Sequence, residues 1–286
     1  MVVLVTGSNG QLGQSLQFIS SNYPEMNFIF CNSTELDITN IENCKFIFKK
    51  YNPTFCINTA AYTAVDKAET EVERAQQVNV YGVQNIAEVC KENNTTLIHI
   101  STDFVFDGNQ NIPYNEKVKP NPLGIYGQTK LEGEIAIQKN WSKYIIIRTS
   151  WVYSPFGNNF MKTMLRLGSE RESLSVVNDQ IGTPTNAVDL ADAILKIIHF
   201  CQTEPVEVFG IYNFSNEGQC SWYDFANEIF KQTQKKIDLK PIPTKAYPTP
   251  AKRPIYSVLD KTKIKKTFGI SILDWKESLY NVIQKL

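Results

Sequence analysis

A tyrosine and a lysine four positions apart are the residues of this chain best suited to chemistry. Tyr126 and Lys130 begin a predicted helix, so both side chains lie on one face of it. A phenol with a pKa of about 10 is a poor acid at neutral pH, and a neighbouring ammonium lowers that pKa. The pair therefore suits carbonyl reduction, in which Tyr126 gives the proton and Lys130 stabilises the tyrosinate and holds the nicotinamide ribose.

The context of the pair carries this prediction, because the spacing alone is common by chance. Thr102 directly follows the strand-like run 97–100, and in a doubly wound sheet ligands bind at such strand ends. We expect Thr102 to hydrogen-bond the substrate oxygen. The alternative is a surface helix with a solvated lysine.

Three glycines follow the first predicted strand and open the first predicted helix. Gly7, Gly10 and Gly13 suit a turn whose backbone N–H groups approach a pyrophosphate closely, at the positive end of a helix dipole. Such a triplet also occurs in ordinary turns, but its place between strand and helix predicts a dinucleotide site.

The preference between NADPH and NADH stays open at this stage. The second predicted strand ends in Cys31-Asn32-Ser33, which lacks the carboxylate that binds the 2′-hydroxyl of NAD. No arginine stands nearby in the sequence to bind a 2′-phosphate. Asp37 and Ile38 follow, and we expect them to line the adenine pocket.

The elements that must position these residues alternate between strand-like and helix-like, which predicts βαβ units. The expected fold class is α/β, a doubly wound parallel (Rossmann-like) sheet with a smaller, discontinuous α/β substrate domain. We expect the dinucleotide-binding domain to span 1–150, with 180–214 returning to it. The substrate domain would then comprise 151–179 and 215–286.

Composition excludes several classes of protein. The 286 residues carry 29 basic and 29 acidic side chains, so nothing favours nucleic acid or an anionic membrane as partner. The start of the chain lacks the pattern of a signal peptide, which predicts a cytoplasmic protein. The six cysteines include no C-x-x-C pair, and we expect no metal site. His99 is expected to be a packed strand residue.

Several longer motifs accompany these residues. They are 6–13, 58–69, 101–108, 126–130, 148–153, 158–160, 179–184 and 246–254. With them the chain resembles the extended short-chain dehydrogenase/reductase superfamily and, within it, the dTDP-4-dehydrorhamnose reductase family. The glycine turn and the Tyr126–Lys130 pair indicate only the superfamily. The segment around Trp151, the segment 179–184 and Arg253-Pro254 select the family.

The resemblance implies that NADPH or NADH reduces the C4 ketone of dTDP-4-dehydro-L-rhamnose to dTDP-L-rhamnose, with Tyr126 as proton donor. It implies a role for each matching position. The implied sites are Gly10, Gln11 and Leu12 at the cofactor pyrophosphate, Asp37 and Ile38 at the adenine, Ala61, Tyr62 and Thr63 beneath the cofactor, and Thr102, Asp103 and Trp151 at the substrate. We expect Arg253 to pair with the pyrophosphate of the dTDP-sugar, since a guanidinium suits phosphate oxygens.

Two alternatives for the function remain open. The substrate could be another dTDP-4-keto-6-deoxyhexose, reduced or epimerised; a dehydratase is disfavoured because Thr102-Asp103 lacks the glutamate of that class. The chain also resembles the non-catalytic, NADP-binding regulatory subunit of methionine adenosyltransferase. Some relatives form dimers through Mg²⁺ held by carboxylates, one of them at the position of Ser15 here. Because a hydroxyl holds Mg²⁺ far less well than a carboxylate, we expect no metal-bridged dimer.

Overall fold

A computed structural model describes residues 1–204 and 206–285, and its centre is one parallel sheet of six strands. The strand order is β10-β5-β4-β3-β1-β2, and every neighbouring pair is parallel. The six strands are β1 (Val2–Thr6), β2 (Asn27–Cys31), β3 (Phe55–Asn58), β4 (Thr96–Thr102), β5 (Tyr144–Thr149) and β10 (Gly210–Asn213). The predicted α/β fold with a doubly wound sheet is confirmed.

The inner strands are apolar along most of their length because both faces of the sheet are covered by helices. All four residues of β3 are buried. One face carries α1 (Gln11–Ile19), α8 (Ala187–Thr203) and α10 (Thr262–Phe268), and the other carries α2 (Ile41–Tyr51), α5 (Val83–Glu92) and α6 (Ile125–Asn140). Each face therefore has its own apolar core.

A long helical segment precedes the fourth strand. It consists of α3 (Val65–Ala68), α4 (Val72–Gln76), one π-helical stretch (Gln77–Gly82) and then α5. Asn79 lies in the π-helical stretch, where its side chain accepts a hydrogen bond from the Tyr62 backbone N–H at 2.9 Å and donates to the Tyr62 carbonyl at 3.1 Å. This contact ties the helix to the loop after β3.

The second half of the chain builds a smaller core of its own. Its elements are β6 (Val152–Tyr153), α7 (Phe160–Glu170), β7 (Ser173–Val177), β8 (Ile181–Gly182), β9 (Thr185–Asn186), β11 (Cys220–Ser221), α9 (Trp222–Gln232), β12 (Asp238–Ile242) and α11 (Trp275–Ile283). β7 pairs with β12, β8 with β11 and β6 with β9. Within 180–214, α8 packs on the large sheet and β10 is one of its strands. By contrast, β8 and β9 pair with strands of the smaller part. The division into two functional domains stays a prediction.

No helix in residues 1–204 and 206–285 is both long enough and apolar enough to cross a membrane.

Candidate active site

The carboxyl ends of β1, β3, β4 and β5 meet at one edge of the sheet and form the floor of a cavity of about 760 Å³. Most of the residues singled out from sequence lie around it. Its lining includes Gly10, Gln11, Leu12, Ala61, Thr63, Thr102, Asp103, Tyr126, Lys130, Trp151 and Arg253. The fold thus brings together segments that lie far apart in the chain.

The glycine turn is shaped by close backbone approach. Gly7 has a φ of +62°, and a Cβ there would lie 2.7 Å from the backbone nitrogen of Ala60. A Cβ on Gly13 would lie 2.6 Å from the Cα of Ser8, so a glycine at this position lets α1 pack closely against the turn. The first backbone N–H groups of α1 have no hydrogen-bond partner within the helix, and this end of the helix borders the cavity. The turn therefore fits the pyrophosphate of a dinucleotide.

Lys130 is buried, with 2% of its surface exposed. Its Nζ donates to the carbonyl oxygen of Ile100 at 2.7 Å and lies 3.3 Å from Nε2 of His99. Burial lowers the pKa of Lys130 to about 8, while the negative charge of Glu134 opposes that decrease. Lys130 therefore loses its proton at a lower pH than an exposed lysine does.

His99 lies between Lys130 and Asn58 in a series of buried side-chain contacts. The Thr6 hydroxyl donates to Oδ1 of Asn58 at 2.7 Å, and Nδ2 of Asn58 lies 3.1 Å from Nδ1 of His99. Burial, and then the charge of Lys130, hold the pKa of His99 well below its usual range. His99 is packed in its strand as expected, but it also contacts Lys130, which sequence reasoning missed.

Tyr126 lies half-buried beside Phe104, edge to face at 5.5 Å between ring centroids. Burial raises the pKa of Tyr126 to about 12, and a hydrogen bond with Thr102 opposes the rise. The Thr102 hydroxyl donates to Oδ1 of Asp103 at 3.1 Å and accepts from the N–H of Phe104 at 3.1 Å. Burial raises the pKa of Asp103 to about 6, and its Oδ2 has no protein partner among the described residues.

A buried ion pair between Arg148 and Glu134 lies one helical turn from Lys130. The guanidinium of Arg148 on β5 binds the carboxylate of Glu134 on α6 through two contacts, of 2.9 and 2.6 Å. The Ser101 hydroxyl donates to the same carboxylate at 2.5 Å. Glu134 therefore accepts three hydrogen bonds, and its ion pair is with Arg148 rather than with Lys130.

Trp151 occupies the far side of the cavity. Its φ of +48° is in the left-handed region, which is unusual for a tryptophan and marks local strain. Its ring stacks on Trp222 at 3.6 Å between centroids, so one face of the indole is covered. A Cβ on Gly182 would lie 2.6 Å from the ring. Trp222, which lines the cavity as well, was not singled out from sequence, because nothing in its local pattern distinguishes it from a core residue.

Arg253 lies at the border between this cavity and a second one of about 810 Å³. Its guanidinium pairs with Asp66 through contacts of 2.8 and 3.0 Å, and this hydrogen bonding lowers the pKa of Asp66. Residues from α7, β7 and the loop after β12 line the second cavity, which sequence reasoning did not anticipate. Arg253 is therefore positioned to reach a ligand that spans both cavities.

A third cavity, of about 340 Å³, extends from the glycine turn to the end of β2. It receives the residues expected on the adenine side. They are Gly7, Gly10, Asp37, Ile38, Ala61 and Tyr62. Arg74 also lines this cavity, as Asn32 and Ser33 do. No arginine is near the end of β2 in the sequence, but the fold brings Arg74 to the same cavity.

Within 1–204 and 206–285, no group of three or more histidine, cysteine, aspartate or glutamate residues is arranged to hold a metal ion.

Comparison with known proteins places the whole chain among reductases of sugar nucleotides. The family model described as the RmlD substrate binding domain matches residues 1–286. A dTDP-4-dehydrorhamnose reductase of Aggregatibacter actinomycetemcomitans is 44% identical, over 98% of this chain and 97% of that protein. The crystal structure of a dTDP-4-dehydrorhamnose reductase from Clostridium acetobutylicum is 41% identical with a TM-score of 0.94, covering 100% of this chain and 99% of that one. That of Bacillus anthracis, in complex with NADP, is 39% identical with a TM-score of 0.94 and the same coverage.

Proposed function

This chain belongs to the family of the RmlD substrate binding domain, and from that membership we propose that it reduces the C4 ketone of dTDP-4-dehydro-L-rhamnose to dTDP-L-rhamnose. One observation carries the proposal. Tyr126, Lys130 and Thr102 share one cavity with the glycine turn that fits a dinucleotide. The protein is an oxidoreductase of the dTDP-rhamnose pathway that uses NADPH or NADH.

The proton comes from Tyr126. NADPH or NADH, when bound, supplies the hydride that adds to the ketone carbon. Tyr126 gives its phenolic proton to the ketone oxygen, so that the carbonyl becomes an alcohol. Burial alone makes this phenol a weak acid, and the ammonium of Lys130 lowers the cost of the tyrosinate that forms. Lys130 also binds the nicotinamide ribose.

The substrate is held by groups that the sheet edge and the second half supply. Thr102 hydrogen-bonds the substrate oxygen beside Tyr126. The free Oδ2 of Asp103 accepts a hydrogen bond from a sugar hydroxyl, which satisfies a buried oxygen otherwise left without a partner. The exposed edge of Trp151 packs on the deoxysugar.

The nucleotide part of the substrate extends into the second cavity. Arg253 stands where the two cavities meet and binds the diphosphate, for which a guanidinium has matching geometry. Asp66 holds Arg253 in place until the substrate arrives.

The test is a coupled measurement of turnover and product. The protein is incubated with dTDP-4-dehydro-L-rhamnose and either NADPH or NADH, and the loss of reduced-cofactor absorbance is followed. We expect loss with at least one cofactor and dTDP-L-rhamnose as the product by NMR. Binding of cofactor without any turnover would instead match a regulatory subunit and overturn the proposal. A product with the opposite C4 configuration would show that hydride adds to the other face of the ketone, and would overturn dTDP-L-rhamnose as the product.

A further inference from the structure

A series of buried polar side chains connects the end of β1 with Lys130. Its members Thr6, Asn58 and His99 are each 0% exposed. The Thr6 hydroxyl donates to Oδ1 of Asn58 at 2.7 Å, and Nδ2 of Asn58 lies 3.1 Å from Nδ1 of His99. Nε2 of His99 lies 3.3 Å from Nζ of Lys130. Because these groups are buried, their donors and acceptors must satisfy one another.

A backbone group sets the direction of these hydrogen bonds. The N–H of Ala60, which can only donate, points to Oγ1 of Thr6 at 3.3 Å. Thr6 therefore uses its own hydroxyl proton toward the carbonyl oxygen of Asn58. The amide nitrogen of Asn58 then donates to Nδ1 of His99. A ring nitrogen that accepts carries no proton, so neutral His99 has its proton on Nε2.

The N–H of His99 that results points at the amino group of Lys130. His99 is neutral, since burial and then the charge of Lys130 hold its pKa well below the usual range. An ammonium has three donors and no lone pair, so it cannot accept this hydrogen, whereas a neutral amine can. The contact therefore favours the amine over the ammonium.

Titratable and charged groups lie near Lys130 on its own helix, on β4 and β5 and in the turn after β4. They are Tyr126, Glu134, His99, Arg148 and Asp103. Glu134 favours the ammonium, but it is bound to Arg148. The carbonyl oxygen of Ile100 accepts from either form of Lys130. Among the described residues, His99 is thus the side chain in hydrogen-bonding distance of Nζ that distinguishes the two forms.

We propose that His99 is a positioning residue for Lys130: Asn58 holds its proton on Nε2, and this N–H stabilises the neutral amine of Lys130. The inference rests on the proposed function, because the amine arises during turnover. Tyr126 gives its proton to the ketone oxygen and is left as tyrosinate. The ammonium of Lys130 then gives one proton to the tyrosinate and becomes an amine, which solvent protonates again. Since a stabilised amine makes the ammonium a stronger acid, His99 makes Lys130 a better proton source at neutral pH.

The first measurement locates the proton of His99 in the cofactor-free protein. The chain has two histidines, and His199 is exposed, so NMR spectra of protein labelled with 15N-histidine contain one buried ring and one internal reference. Two-bond proton–nitrogen correlations distinguish the protonated ring nitrogen from the other. We expect the proton on Nε2 at pH values below and above the titration of Lys130. A proton on Nδ1 would overturn the inference.

The second measurement follows the charge of Lys130 in protein labelled with 13C at the lysine Cε. Its signal is assigned by its absence from Lys130→Met. Asn58→Leu keeps the size of the side chain but removes the amide that donates to His99. The ring is then free to carry its proton on Nδ1 and to accept from the ammonium. The titration midpoint of Lys130 should therefore rise by roughly one to two pH units.

Asn58→Asp tests the same contact with a different group. Its carboxylate accepts from Nδ1–H, so the proton of His99 should move to Nδ1 and the midpoint of Lys130 should rise. If Asn58→Leu does not fold, this variant decides the question through the position of the proton. A proton that stays on Nε2 in Asn58→Asp, or a midpoint that does not rise in either variant, would contradict the proposal.

Asn213→Leu is the matched control. Asn213 is also buried at the end of a strand of the large sheet, and its amide donates to the carbonyl oxygens of Tyr114 and Asp260 at 2.8 and 3.3 Å. It should lower stability without moving the proton of His99 or the midpoint of Lys130, and an equal shift in this variant would overturn the inference. If both NMR results are as expected but no sugar is reduced, the contact between His99 and Lys130 stands and the proposed reductase activity fails.

Discussion

Replacing Lys130 by methionine should make the protein more stable and inactive at the same time. The ammonium of Lys130 is buried, and the nearest carboxylate, Glu134, is already bound to Arg148 and Ser101. Burial lowers the pKa of Lys130 from its usual 10.5 to about 8. At 1.36 kcal/mol per unit, holding this charge inside costs the folded state roughly 3 kcal/mol at pH 7.

Methionine removes the charge and retains most of the side-chain volume. The hydrogen bond from Nζ to the carbonyl oxygen of Ile100 is lost, at a cost of about 1 kcal/mol. The net gain is then about 2 kcal/mol in the free energy of unfolding, or about 4 °C in melting temperature at roughly 2 °C per kcal/mol. Reduction should be lost, because the tyrosinate of Tyr126 has no positive charge beside it.

The pH dependence gives this prediction its sharpest form. Because the pKa is lower in the folded state, the penalty is fully present below about pH 8. It decreases as the pH rises toward 10.5, the usual lysine pKa, and is absent above it. Urea unfolding of the cofactor-free proteins at pH 7 and pH 10 should therefore show a gain for Lys130→Met only at the lower pH.

A matched control uses the same helix. Lys139 is exposed on α6, so Lys139→Met should change the free energy of unfolding by less than about 0.5 kcal/mol at either pH. If Lys130→Met were less stable than the unchanged protein at pH 7, or equally stabilised at both pH values, the reasoning from burial would be refuted.

Three further predictions concern the catalytic acid, the buried ion pair and metal dependence. Tyr126→Phe should lower the reduction rate by about 10²–10⁴-fold with little change in NADPH affinity, and near-full activity would mean that another group gives the proton. Arg148→Met should lower the free energy of unfolding by about 3–5 kcal/mol, because it leaves Glu134 buried without its partner; urea unfolding measures this, and a loss below about 1 kcal/mol would contradict it. EDTA should change neither the size of the protein in solution nor its activity, since Ser15 stands where some relatives use a carboxylate; dissociation of a dimer on chelation would prove this wrong.

The parts of the site that sequence predicted are those encoded by local geometry. Gly7 and Gly13 sit at positions where a Cβ would meet backbone, and Tyr126 and Lys130 share a helix face, so spacing together with the neighbouring predicted strands and helices carries the information. The strand-like run 97–100 lies inside β4 (Thr96–Thr102), which begins one residue earlier and ends two residues later.

The parts that sequence reasoning missed depend on how elements dock. Arg74 on α4 contacts Tyr62 in the loop after β3 and lines the same cavity as the end of β2, and no local sequence pattern indicates this. His99 sits in an apolar run that predicts a buried strand, and its contact with Lys130 exists only once α6 lies on β4. The Trp151–Trp222 stack likewise joins segments separated by most of the smaller core.

The position of β10 at the edge of the sheet has a consequence for synthesis of the chain. β5 is paired on one side by β4, but its other side waits for Gly210–Asn213, and the face of the sheet carrying α1 waits for α8. A nascent chain that has emerged only through 1–150 thus exposes an unpaired strand edge and an apolar helix face, the two surfaces that favour aggregation. Completion of the sheet must follow translation of the segment that contains β6 to β9. Folding on the ribosome is therefore expected to pass through a late, concerted closing step rather than to finish one half before the other.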